Sequence, residues 1–167
     1  MKKSLFLIAM AALSVSAAEL TFTWKGKADK VSAPKVEEIK DEDWVSYRCT
    51  PTAEAPYQGF VGTPSEQADL SKYKGIALDI KQKCYPGNAA TVLFIHTTNG
   101  NAYTSFNAGD GKDWKHVEID FAKAKWQGPK DFKLNGKLTR VYIYPYASLD
   151  KPSKSIEIAN FELIPQE

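Results

Sequence analysis

The segment Thr139-Arg140-Val141-Tyr142-Ile143-Tyr144 carries two chemistries on alternate residues. In an extended chain successive side chains leave on opposite faces, so Val141 and Ile143 make an apolar face while Arg140, Tyr142 and Tyr144 make an aromatic and cationic one. That second face has two readings. A guanidinium beside two phenol rings can stack on and hydrogen-bond a flat, hydroxyl-rich ligand, or the tyrosines, which favour strands, cover a solvated sheet.

The elements that must position such a face recur at short intervals, punctuated by Gly, Pro, Asn and Asp. Strands are predicted at Leu20 to Trp24, Trp44 to Cys49, Tyr57 to Val61, Ile76 to Lys81, Thr91 to Thr97, Ala102 to Asn107, Lys115 to Phe121, Thr139 to Tyr144 and Ser155 to Leu163. Alternation is plain where Ile76, Leu78 and Ile80 interleave with Ala77, Asp79 and Lys81, and again where Val117, Ile119 and Phe121 interleave with His116, Glu118 and Asp120. Asn99-Gly100 predicts a hairpin, Asp110-Gly111 a turn into the next strand, and Pro64 to Tyr73 at most one short helical turn. The pattern is that of an all-β, two-sheet antiparallel sandwich.

Residues 1–18 read as a secretory signal peptide, with Lys2 and Lys3 at its start, an apolar run from Leu5 to Leu13 and small residues at Ser16-Ala17-Ala18. The run is too short to span a bilayer, and no later segment is a transmembrane helix, so the expected product is secreted or periplasmic. Residues 19–167, about 149 of them, suit a single domain with one core. The chain has 22 Lys plus Arg against 20 Asp plus Glu, and loss of Lys2 and Lys3 balances them. With the two signs interleaved, nucleic acid is a poor partner. Cys49 and Cys84, in an exported chain, are expected to form one disulfide, the alternative being two buried thiols. His96 and His116 lack the spaced partners of a zinc site, no nucleophile motif is present, and no cofactor is implied. Asp79, Glu118 and Asp120 read as solvated strand residues rather than a glycosidase pair, so no catalytic activity is expected.

Three motifs in order, Asp69-Leu70-Ser71-Lys72-Tyr73-Lys74-Gly75-Ile76, Gly111-Lys112-Asp113-Trp114-Lys115-His116-Val117 and Ile156-Glu157-Ile158-Ala159-Asn160-Phe161-Glu162-Leu163, resemble the galactose-binding-domain-like jelly rolls that include many carbohydrate-binding modules. The similarity covers roughly residues 57 to 164. It implies that Trp114 packs as a core anchor. It also implies that sugar lies across the concave outer face of the smaller sheet, or in loops at its edge, and that the segments beginning at Thr91, Ala102 and Thr139 belong to that sheet. With Leu93, Ile95, Phe106, Val141 and Ile143 turned inward, the outer face carries Phe94, His96, Tyr103, Ser105, Asn107, Arg140, Tyr142 and Tyr144, with Trp126 and Tyr146 closing one end. Rings with convergent donors and acceptors suit pyranoses, which have apolar C–H faces and polar edges.

Relatives of this kind often hold a structural calcium through an Asp in the final strand. Here Ala159 stands at that place, so no metal is expected, although Asp150 and Glu157 are near in sequence. The expected function is therefore non-catalytic recognition of an oligo- or polysaccharide. The alternative is an envelope or surface domain that holds a protein partner on the same sandwich.

Overall fold

The computed structural model describes residues 20–28, 33–51, 57–83, 90–109, 111–129, 134–145 and 155–166. The segment expected to be a signal peptide, Cys84, Asp110, Tyr146 and Asp150 lie outside the described residues. Among those described, the strands are β1 (Phe22–Lys27), β2 (Lys35–Asp41), β3 (Trp44–Thr50), β4 (Gly59–Pro64), β5 (Ala68–Asp69), β6 (Tyr73–Lys83), β7 (Ala90–Thr97), β8 (Gly100–Asn107), β9 (Lys115–Asp120), β10 (Lys137–Pro145) and β11 (Ser155–Pro165). One sheet runs β1-β4-β10-β7-β8, with β5 beside one end of β10; the other runs β2-β3-β11-β6-β9. The all-β, two-sheet antiparallel sandwich expected from the alternation is the observed architecture.

Each sheet turns one side of its period-2 pattern inward. Leu93, Ile95, Val141 and Ile143 of the first meet Leu78, Ile80, Ile156 and Ile158 of the second, all buried. The aromatic anchor of this core is Trp24, which packs against Phe22, Phe60 and Phe161. It needs Gly62 behind it, because a Cβ there would lie 2.4 Å from the Trp24 ring. Trp114 is placed differently from the expectation: its ring stands edge-to-face on Trp44 at 5.5 Å, and it is not part of the core cluster.

The strand β2 escapes the sequence pattern because Lys35-Val36-Glu37-Glu38-Ile39-Lys40-Asp41 is rich in residues with weak strand preference. It is an edge strand, paired only with β3, where charge discourages pairing with other chains. The short turn foreseen near Pro64 to Tyr73 is a single 3-10 turn at Leu70–Lys72, capped by Asp69, whose Oδ1 accepts from the Ser71 N–H at 3.0 Å.

Cys49 is a free, fully buried thiol rather than half of a bridge, and burial pushes its pKa up to about 12. It lies on β3, and β11 runs between β3 and β6. In the calcium-like segment, Ala159 is buried and Asn160 sits in a β-bulge at φ 48, donating from Nδ2 to Asp79 Oδ2 at 2.7 Å. Among the described residues no group of three or more His, Cys, Asp or Glu converges as metal ligands would, and no helix is long and apolar enough to cross a membrane.

Candidate functional site

Three neighbouring strands bring the aromatic residues together. The register aligns Tyr142 of β10 with Phe94 of β7, and Phe94 with Tyr103 of β8. Since paired residues share a face, this makes one row of rings across the sheet. The Phe94 and Tyr103 rings are parallel within 8° at 5.7 Å, and Tyr142 meets Phe94 nearly perpendicular at 6.1 Å. His96, two residues along β7, packs against Phe94 at 4.9 Å and Tyr142 at 5.0 Å. A bulge in β10 between Leu138 and Arg140 sets the phase. It leaves both Leu138 and Val141 buried while Arg140 is exposed opposite His96.

On the other side of β10, beyond β4, β1 adds cations. The register carries the row on through Val61 to Lys25, and Lys27 places its ammonium 5.2 Å above the Tyr142 ring, a cation–π distance. Tyr57, held at φ 61, stands edge-to-face on Tyr144 at 5.7 Å. Gly59 makes room for this strand crossing, because a Cβ there would lie 2.2 Å from the Ile143 carbonyl oxygen and 2.7 Å from Tyr144 Cβ. The pKa of His96 is lowered, first by burial and then by the charges of Arg140 and Lys27, so at neutral pH it is an uncharged ring with one donor and one acceptor.

At the β8 edge, Gln127 crosses from the segment after β9. It exchanges backbone hydrogen bonds with Tyr103 at 2.8 Å in each direction, and its Oε1 accepts from the Tyr103 hydroxyl at 2.6 Å. That fixes the outermost ring of the row. Beside it, between the β8 and β9 edges, opens a cleft of about 650 Å³ lined by Thr104, Ser105, Phe106, Glu118, Lys125 and Gln127 among others.

Of the residues singled out from sequence, Phe94, His96, Tyr103, Arg140 and Tyr142 form this cluster, and Tyr144 flanks it with Tyr57. Asn107 is exposed at the far end of β8, where its Oδ1 accepts from the Gly109 N–H. Trp126 stands apart from the row: its ring packs on Phe121 and the core, and Nε1 donates to the Phe121 carbonyl at 3.0 Å. The sheet concerned is six-stranded with β5, so it is the larger of the two rather than the smaller. Sequence reasoning missed Lys25, Lys27, Tyr57 and Gln127. The lysines had a local signal, since they alternate with Phe22 and Trp24 along β1, but Gln127 had none.

The sandwich has the β-jelly-roll fold that is also seen in family 11 carbohydrate-binding modules. It is similar to the family 11 module of the cellulosomal cellulase Lic26A-Cel5E of Clostridium thermocellum, at 17% identity and a TM-score of 0.56, covering 92% of this chain and 91% of that one. It is also similar to the Clostridium thermocellum family 11 module in complex with a β-1,3-1,4-mixed-linked tetrasaccharide, at 18% identity and 0.54 over 91% and 92%. The solution structure of CtCBM11 gives 18% and 0.58 over 92% and 99%. No family model matches the sequence, and no curated protein does.

Proposed function

We propose that this protein is an exported, non-catalytic carbohydrate-binding module that holds an oligo- or polysaccharide on the outer face of the β1-β4-β10-β7-β8 sheet. The observation that carries the reading is the continuous row Tyr142, Phe94 and Tyr103 on three adjacent strands. Such a row spans on the order of 10 Å and offers ring surface to the C–H faces of a short stretch of sugar chain. Arg140, His96, Ser105 and Gln127 stand around it with donors and acceptors for the hydroxyl edges. The structural neighbours are carbohydrate-binding modules, one of them solved with a tetrasaccharide, which supports the same class of ligand. Among the described residues the exposed large apolar side chains are Val45 and Tyr57, so the face lacks the broad apolar patch of a protein interface. Export rests on the leader at residues 1–18. A lack of catalysis is in keeping with Asp79, Glu118 and Asp120 standing on the other sheet.

The test is a glycan array followed by titration of the best binder. Tyr142→Ala should abolish or strongly weaken binding while the melting temperature stays close to that of the parent. If no glycan binds, or if the variant binds as the parent does, this site is wrong. Release of reducing ends during incubation with the bound glycan would show an enzyme instead.

A further inference from the structure

The two sheets differ in charge in a way the near-neutral chain conceals. Strands β1, β4, β10, β7 and β8 contain no Asp or Glu at all, yet they carry Lys25, Lys27, Lys137 and Arg140. The one acid of this sheet is Asp69 on β5, opposite Lys137 at the sheet end, and its carboxylate is engaged by Ser71. In the other sheet every strand but β3 has acids, from Glu37 to Glu162. On the outer face of the five long strands the hydrogen-bond acceptors offered by described side chains are therefore neutral, among them Asn101, Ser105 and the tyrosine oxygens, and the nearest acids described, Glu118 and Asp120, line the cleft at the β8 edge.

We infer that the glycan held on this face is acidic, bearing a carboxylate or a sulfate, and that Arg140 receives the anionic group in the field of Lys25 and Lys27. This rests on the reading of the face as a glycan site. The cations sit close around the rings. Arg140 is the direct cross-strand neighbour of His96, whose ring touches Tyr142, and Lys27 stands over that same Tyr142 ring. The pKa of His96 is lowered first by burial and then by the charges of Arg140 and Lys27, in keeping with their closeness to the ring. Arg140 is exposed and has no carboxylate at ion-pair distance among the described residues, so its planar fork of donors is available to an incoming anion. Neutral sugars present hydroxyl donors that carboxylate acceptors bind best; five strands without carboxylates forgo this, and a ligand with its own negative charge complements them.

The experiment is titration of the full chain with matched polymers: polygalacturonate against its methyl ester, and cellulose sulfate against hydroxyethylcellulose. One acidic member should bind at least tenfold more tightly than its neutral mate, and the pair that does so tells carboxylate from sulfate. The preference should shrink with added salt, and Arg140→Gln should bring the acidic-to-neutral ratio toward one while the melting temperature holds. Equal affinity within both pairs, with Tyr142→Ala still abolishing binding, overturns the acidic ligand and leaves the glycan site standing. Acidic-polymer binding that survives Tyr142→Ala is nonspecific polyelectrolyte attraction and also overturns it. Binding to none of the four polymers, nor to any arrayed glycan, removes both readings together.

Discussion

The outer faces of the two sheets have the same backbone geometry and opposite habits. On the β2-β3-β11-β6-β9 sheet, polar side chains satisfy one another: Arg48 Nε meets Glu157 Oε1 at 3.1 Å, His116 Nδ1 and Asn160 Nδ2 share the Asp79 carboxylate, and Lys35 pairs with Glu37. On the β1-β4-β10-β7-β8 sheet the rings pack on one another, and the cations have no acids in the five long strands to answer them. The first face is held by ion pairs and the second by ring contacts. Internal pairing is what a face shows when water is its only partner, and polar groups that converge around rings are what recognition requires.

The sharpest contrast is between inward and outward aromatic rings. Trp24→Ala opens the Phe22, Phe60 and Phe161 cluster and should cost about 3–5 kcal/mol in urea unfolding. Trp114→Ala, which removes a ring packed mainly on Trp44, should cost less, about 1–2 kcal/mol. Tyr142→Ala should leave unfolding nearly unchanged and weaken glycan binding by about 1–3 kcal/mol by titration calorimetry. If Tyr142→Ala unfolds like Trp24→Ala, the row belongs to the core and the comparison fails.

The two arginines separate the faces by a smaller margin. Arg48→Met strands the mostly buried Glu157 carboxylate and should lower stability by about 1 kcal/mol, a figure held down by the partial exposure of Arg48. Arg140→Met removes no ion pair and should stay within about 0.5 kcal/mol of the parent in the same denaturation experiment. A reversed order would mean that the aromatic face is the internally paired one.

The histidines report the smallest effects and the most direct ones. His96 titrates below its ordinary 6.5 through burial and the nearby cations, whereas His116 titrates above it through its hydrogen bond to Asp79 and the charges of Asp79 and Glu118. For His116, raised in the folded state, the stabilising contribution is complete below the unfolded-state value and is lost as pH rises through the folded one. For His96, lowered in the folded state, it is present above 6.5 and lost as pH falls toward the folded value. NMR titration should therefore find the two ring shifts moving on opposite sides of 6.5. Arg140→Gln should raise His96, and Asp79→Asn should lower His116; coincident titrations would show that the two faces do not differ in field. Cys49, buried with a pKa near 12, should react with a thiol reagent only after unfolding.

Alternation is a property of single strands, so the sequence by itself determined which residues share a side: Val141 and Ile143 went inward, Tyr142 and Arg140 outward, and most strands were legible from Leu20 to Leu163. It failed where composition masked the period, as in charged β2, and where a motif was read as an anchor, as at Trp114. Only the tertiary structure decided which strands are neighbours, because pairing joins segments far apart in the chain and leaves no trace in a local period. The pairing of β4 with β1 and β10 brings Lys25 and Lys27 to Tyr142; the bulge before Arg140 sets that residue opposite His96; and the passage of Gln127 along β8 fixes Tyr103. The charge division between the faces is of this second kind, since a balanced chain acquires a positive face only when its acid-free strands are sorted into one sheet.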